Sequence, residues 1–188
     1  YTLVIAVDGY LTETGKKEKF VVNLSTSLAI EKLAERYNST VKRSAVGEIN
    51  VVNMMNDIKS NLGGEGNGGV ILRECHLGRD SMIGATMVLN RMSLTDLPLS
   101  YIHENLPIFK IVKDKISIEG IDIDSVISKV QLLFNDAEVN KTDGIKFTWE
   151  DKWVHLRKSN TEPILRIYAE APNSRKAKAL VNQIKRVI

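Results

Sequence analysis

The chain is short of most things that would mark a specialised class. Its single cysteine, Cys75, leaves no disulfide framework and no thiolate metal cluster to build. No apolar run approaches the ~18–20 residues that a membrane-spanning helix needs. Like charges form no long block, and a net charge of +3 is too small to imply nucleic acid by itself. Aromatic residues make up only 6%, a thin supply for stacking on bases. Read without a signal peptide, the Asn-x-Ser/Thr triplets at Asn23, Asn38 and Asn140 are chance matches. These absences point to a cytoplasmic protein with neither membrane nor nucleic acid as partner. Its composition is ordinary, 43% hydrophobic and 26% charged, over 188 residues that suit one large domain or two small ones. Residues 1–7 open directly in an apolar stretch without an initiator methionine. That start reads as a piece cut from a longer chain, or as a processed terminus.

What is present is an alternation of apolar runs and amphipathic stretches. Residues 2–13 suit a helix or a strand equally by periodicity. Residues 19–24, with Phe20, Val21, Val22 and Leu24, read as a strand covered on both faces. Ser25 and Thr26 are placed to cap a helix with Leu28, Ile30, Leu33, Ala34 and Tyr37 inward, and 40–44 returns as a strand. That makes a βαβ unit, hence a parallel pair. After Gly47, the helical spacing of Val51, Met54, Met55 and Ile58 marks a core-facing helix. Residues 70–72 resume as a strand beyond a glycine-rich stretch. Asp80 is placed to cap a helix through Met92, with Met82, Ala85, Leu89 and Met92 as its stripe and Ile83 and Met87 beside it.

Residues 94–105 read as an interdomain connection carrying a short polar helix. Beyond it come a strand over 108–115 and a helix capped by Asp124, with Val126, Ile127, Val130, Leu133 and Phe134 inward. Strands over 145–149, 153–157 and 164–170 follow, then a helix capped by Ser174 with Ala177, Leu180, Val181, Ile184 and Val187 inward. The expected architecture is an α/β domain over 1–105, a mixed and largely parallel sheet with flanking helices. A small α+β domain over 106–188 follows it, a four-stranded antiparallel sheet with two helices.

Two loops carry chemistry. Gly63-Gly64-Glu65-Gly66-Asn67-Gly68-Gly69 has five glycines in seven positions, too many to serve packing. Such a loop lets the backbone approach a ligand, and its two functional side chains are Glu65 and Asn67. A carboxylate beside an amide suits the vicinal hydroxyls of a sugar. A flexible linker is the plainer reading, opposed by the strand that resumes at once. The loop is neither a Walker motif nor a dinucleotide fingerprint. The second stretch, 157–166, offers Arg157 and Arg166, the hydroxyls of Ser159 and Thr161, the amide of Asn160 and a run of backbone N–H groups. That mixture suits a tetrahedral dianion. The plain alternative is a hairpin connection with surface charges. His76 has no companions for a metal set, and capping accounts for Asp122 and Asp124.

Together these loops resemble those of the α-D-phosphohexomutases, the phosphoglucomutase/phosphomannomutase superfamily. Ser44-Ala45-Val46-Gly47-Glu48-Ile49-Asn50-Val51 is similar to the family's segment ahead of the sugar loop, and Gly78-Arg79-Asp80 to the stretch after it. Asp143-Gly144-Ile145-Lys146 and Trp153-Val154-His155-Leu156-Arg157 are similar to the approach to the phosphate loop. The resemblance covers essentially the whole chain. It implies the third and fourth of four domains, the last with a TATA-box-binding-protein-like form. It places the phosphoserine, in a Ser-His-Asn-Pro context, and the Asp-x-Asp-x-Asp-Arg loop for Mg²⁺ in other domains, and neither string occurs here. No catalytic nucleophile, metal ligand or cofactor is therefore expected in this chain. The expected partners are a phosphorylated hexose and the missing N-terminal domains, with Mg²⁺ in the whole enzyme.

The implied reaction interconverts hexose 6-phosphate and hexose 1-phosphate through a bisphosphorylated sugar. By resemblance, Glu65 and Asn67 would hold sugar hydroxyls. Arg157, Ser159, Asn160, Thr161 and Arg166 would hold the phosphate that is not reacting. Many relatives carry Ser and His where this chain has Asn67 and Gly69. The Glu-x-Asn-Gly-Gly form resembles the archaeal-like phosphoglucosamine mutases, which puts glucosamine phosphate ahead of mannose or glucose phosphate. A rival from another class is a nucleic-acid or anion-binding module, suggested by Lys176, Lys178, Lys185 and Arg186 on the last helix. It explains neither Glu65 nor the glycine loop, and a purely structural scaffold leaves both loops idle.

Overall fold

The computed structural model describes residues 1–159 and 161–188. They form two compact units, Tyr1–Ile108 and Phe109–Ile188. Among the described residues no helix is long and apolar enough to cross a membrane.

In the first unit the ambiguous opening is a helix, α1 (Thr2–Thr14). Its buried run from Leu3 continues to Leu11, and Gly15 closes it in the left-handed region at φ 61°. The strand β1 (Lys19–Asn23), the helix α2 (Ala29–Arg36) and the strand β2 (Thr40–Ser44) make the expected βαβ unit with a parallel pair. The helix α3 (Glu48–Ile58) then crosses to β3 (Leu62–Gly64), parallel to β1 on its other side, and β4 (Val70–Leu72) adds antiparallel at the edge. The order is β2-β1-β3-β4. The helix α3 seats Val51 and Met55 on Val21 and Ile71. The other face is covered by α1, with α2 and α4 (Ser81–Thr95) packed beside it. Connections thus leave β1 and reach β3 on opposite sides of β1. The crevice at the carboxyl ends of β1 and β3 is a topological switch point, where open α/β sheets hold ligands.

Four local expectations change here. Gly63 and Gly64 belong to β3, and both serve packing after all. A Cβ on Gly63 would run into Met55 Sδ, and one on Gly64 would come within 2.5 Å of Leu3 Cδ1. Ser25 and Thr26 do not cap α2, whose N-cap is Leu28; instead both donate to Asn23 Oδ1, at 3.1 and 2.9 Å. Asp80 does cap α4, accepting from the N–H groups of Met82 and Ile83, but the buried positions are Gly84 and Met87. Met82 and Leu89 are 74% and 64% exposed. An apolar stripe runs on more than one side of this helix, so periodicity alone could not select the inner one. The segment after α4 is no free connection. Its helix α5 (Leu99–Glu104) buries Ile102, and Arg36 Nη1 donates to the Asn105 carbonyl at 2.9 Å.

The second unit comprises β5 (Lys110–Ser117), α6 (Ile123–Leu133), β6 (Glu138–Asn140), β7 (Ile145–Thr148), β8 (Trp153–Lys158), β9 (Ile164–Ala171) and α7 (Ser174–Lys185). Its sheet is antiparallel in the order β5-β9-β8-β7-β6, five strands where four were expected. The addition is β6, a three-residue edge strand too short and polar to show alternation. Both helices pack on one face, bringing Val126, Val130, Leu180, Val181 and Ile184 onto Phe147, Val154, Leu156, Leu165 and Ile167. Leu133 is 39% exposed rather than inward. The caps shift as well. Asp122 caps α6 by accepting from the Asp124 N–H, and Asn173 caps α7 by accepting from the Lys176 N–H, each at 3.0 Å.

Candidate functional site

Glu65 is the first residue past the carboxyl end of β3, and Asn23 is the last of β1. Parallel pairing of these strands brings the two side chains together. Glu65 is only 4% exposed. Its Oε1 accepts from Asn23 Nδ2 at 2.8 Å and from the Gly47 N–H at 3.2 Å, while its Oε2 pairs with Arg79 Nη1 at 3.1 Å. Gly47 is the N-cap of α3, at φ 123°, so the carboxylate also meets the positive end of that helix. Three donors hold the Glu65 carboxylate in place and leave about one of its four acceptor sites for a ligand hydroxyl.

Asn67 is exposed, and its Oδ1 accepts from the Gly69 N–H at 3.1 Å. The loop is also closed by Glu65 N–H to Gly69 O at 2.9 Å and by Gly68 N–H to Glu65 O at 3.0 Å, with Gly68 at φ 99°. The Asn67 carbonyl thus already accepts once within its own turn, which leaves one lone pair and the amide nitrogen for a ligand. Arg79 lays its stem over Gly69, where a Cβ would collide with it. Its Nε donates to Glu48 Oε2 at 2.6 Å and its backbone N–H to Glu48 Oε1 at 3.1 Å. That donation holds the Glu48 carboxyl below the usual range and raises Arg79 in turn.

In the second unit the register places Arg157 of β8 directly opposite Arg166 of β9, and Arg166 opposite Lys115 of β5. Three cations therefore share one row across the sheet. Asp143 answers part of this charge, with Oδ1 and Oδ2 at 3.0 and 2.9 Å from Arg157 Nε. Glu162 approaches Arg166 Nη2 only to 3.8 Å. Ser159 is buried, and its N–H donates to the Ile164 carbonyl at 3.0 Å. Its Oγ lies 3.4 Å from both Thr161 Oγ1 and Thr161 N, and 3.5 Å from Arg166 Nη2. Ser159, Thr161 and Arg166 thus gather around one hydroxyl at long distances, with Arg157 beside Arg166. Asn160 lies outside the described residues. Among those described, no group of three or more His, Cys, Asp and Glu converges to hold a metal ion.

Residues 1–108 match the family model described as phosphoglucomutase/phosphomannomutase, alpha/beta/alpha domain III, and residues 115–187 match that of the C-terminal domain. The chain belongs to the phosphoglucomutase/phosphomannomutase family. A family relative from Thermococcus kodakarensis, named phosphoglucomutase/phosphomannomutase, is 32% identical over 179 residues, covering 94% of this chain and 39% of its own length. A phosphoglucosamine/phosphogalactosamine mutase of Sulfurisphaera tokodaii is 28% identical over 174 residues, covering 91% of this chain and 38% of its own. The crystal structure of a phosphoglucomutase/phosphomannomutase family protein from Burkholderia thailandensis matches with a TM-score of 0.79 at 17% identity, over 99% of this chain and 40% of that one. The chain thus spans about two fifths of the length of these family members.

The residues that hold the two loops carried no expected role: Asn23, Gly47 and Arg79 around Glu65, Glu48 behind Arg79, and Asp143 behind Arg157. Asn23 ends β1 and Glu65 follows β3, but the expected parallel pair was 19–24 with 40–44, and residues 62–64 were not expected as a strand, so their meeting was not legible. Nothing local in the sequence links Asp143 to Arg157 until strand register is known.

Proposed function

We propose that this chain is the C-terminal part of a phosphohexomutase that interconverts hexose 6-phosphate and hexose 1-phosphate through a bisphosphorylated sugar. In this reading the chain grips substrate while the nucleophile lies in other domains of the same polypeptide. Glu65 and Asn67 hold sugar hydroxyls. Arg157, Ser159, Asn160, Thr161 and Arg166 hold the phosphate that is not reacting. The observation that carries the reading is the in-register pair Arg157–Arg166 beside the Ser159 hydroxyl. Like charges directly opposite each other weaken a hairpin, and a bound dianion reverses the sign of that term. Catalysis of phosphoryl transfer is mostly positioning and charge stabilisation, which is what two such loops can supply. A cradle of donors without a shape-selective wall accepts either end of the bisphosphate. The Mg²⁺ that the resemblance implies finds no fitting set among the described residues, so no step on this chain is assigned to it.

Glucosamine phosphate is the proposed hexose, supported by the Glu-x-Asn-Gly-Gly loop and by the name of the Sulfurisphaera tokodaii relative. The cytoplasm, where phosphorylated hexoses are handled, is the proposed location. The test is an assay of the full-length polypeptide with glucosamine, mannose and glucose 6-phosphates. Glucosamine 6-phosphate should give the highest kcat/KM. Preference for mannose or glucose would move the substrate within the family, and turnover of none of the three would overturn the reading. The 188-residue chain alone should turn over none of them while still binding phosphate through residues 157–166.

A further inference from the structure

His155 precedes Arg157 by two positions on β8, so both side chains leave the same face of the sheet. Arg157 reaches solvent, whereas His155 is 2% exposed, and neither loop as described uses it. Its Nε2 lies 2.7 Å from the backbone carbonyl oxygen of Asp143. A carbonyl only accepts, so Nε2 carries the proton and donates. Burial, the largest influence on the ring, pushes its basicity down, and the neutral ring is then the Nε2–H tautomer. Among the described residues, the charged and polar groups facing it include Lys146 opposite on β7, Tyr168 opposite on β9, Asp143 and Arg157.

Asp143 is thereby held at two points, its carbonyl by His155 and its carboxylate by Arg157 Nε. The next residue adds a third. Gly144 has φ 65°, and a Cβ there would collide with the Leu156 carbonyl oxygen and come within 3.0 Å of Arg157 Cα. The connection into β7 is therefore pressed against β8 at the point where Arg157 leaves it. An arginine restrained through Nε has less rotamer freedom to lose when its terminal nitrogens take an anion.

We propose that His155 is a positioning residue of the phosphate cradle: by anchoring the main chain of Asp143 it fixes the carboxylate that aims Arg157 at the anion. The proposal rests on the phosphate reading of residues 157–166. It uses no charge on the ring, only its donor and its place beneath Asp143.

The experiment is NMR on the 188-residue chain, following the His155 ring nitrogens, the Arg157 Nε–H and the 157–166 amides during titration with inorganic phosphate. In the unaltered chain the ring should show the Nε2–H tautomer, and an Nδ1–H tautomer overturns the proposal without any variant. In His155→Phe, which fills the space without a donor, the Arg157 Nε–H signal should move or broaden and phosphate affinity should fall roughly tenfold, the scale of a lost preorganising contact. The amides of Val154 and Leu156 should hold their positions. His155→Gln, which restores an N–H donor, should recover part of the affinity. Equal phosphate affinity in His155→Phe and the unaltered chain overturns the role of His155 and leaves the cradle standing. Phosphate that moves none of the 157–166 amides in the unaltered chain overturns both.

Discussion

A carboxylate that is almost wholly buried needs donors in place of water, and Glu65 finds them in Asn23, Gly47 and Arg79. The same contacts that hold the fold at this point also fix the geometry offered to a sugar. Glu65→Ala should therefore act twice. It should weaken the first unit by ~2 kcal/mol in a denaturant titration, since it strands charge-assisted donors. In the full-length polypeptide it should lower kcat/KM on the order of 10²-fold, the usual scale for a misplaced substrate. Unchanged stability together with unchanged turnover would remove Glu65 from both roles. Arg157 is tested by the conservative change. Arg157→Lys keeps the charge but loses the Nε that Asp143 holds. Phosphate affinity measured by titration should fall roughly tenfold, because an ammonium cannot hold Asp143 and present a planar fork at once. Affinity equal to that of the unaltered chain would mean that charge alone suffices.

Elements were legible where side-chain chemistry forced them and illegible where it was permissive. Phe20, Val21 and Val22 could only be a doubly covered strand, and β1 with α2 and β2 followed. The Glu138–Asn140 edge strand has no apolar alternation and exists because β7 offers it a free side. In α4 apolar residues on several sides left two candidate inner faces, and packing against α1 chose the one through Gly84 and Met87. The loops followed the same division. Glycine marked where Glu65 would stand, but its partners come from other strands and helices that only tertiary pairing brings near. Caps are a finer case, since several residues able to cap stand in a row. Asp122 and Asp124 differ in that only Asp122 accepts a helix N–H through its side chain. Asp122→Ala should cost about 1 kcal/mol in urea unfolding, and Asp124→Ala much less. The reverse order would place the cap where the sequence alone put it.

At the scale of the whole chain, the ionisable groups divide between the two units in a way that pH can expose. In the second unit, burial pushes His155 below its usual value of about 6.5. As pH falls through that value, the unfolded chain takes up a proton that the folded ring refuses. Stability held above it is lost on acidification. Lys185 holds the Asp114 carboxyl low in the same unit, and its contribution goes only when pH falls through the usual carboxylate range. The first unit has Glu48, held low by Arg79, and Asp80, held low by the N–H groups it caps, so on the acid side it too should yield only in that lower window. Its distinctive groups are Tyr10 and Tyr37, both raised, first of all by burial. Above about 10 the unfolded phenols release protons that the folded ones keep, so stability is lost as pH rises. The units should thus weaken on opposite sides of neutrality. Amide exchange, corrected for its intrinsic pH dependence, should show protection falling first at Phe147, Val154 and Leu156 as pH drops below about 6.5, while Val21 and Ile71 keep theirs. As pH rises above about 10 the order should invert. Simultaneous loss in both units at the mildly acid step, or a His155 ring that titrates at the usual value, would defeat the assignment of that step to His155.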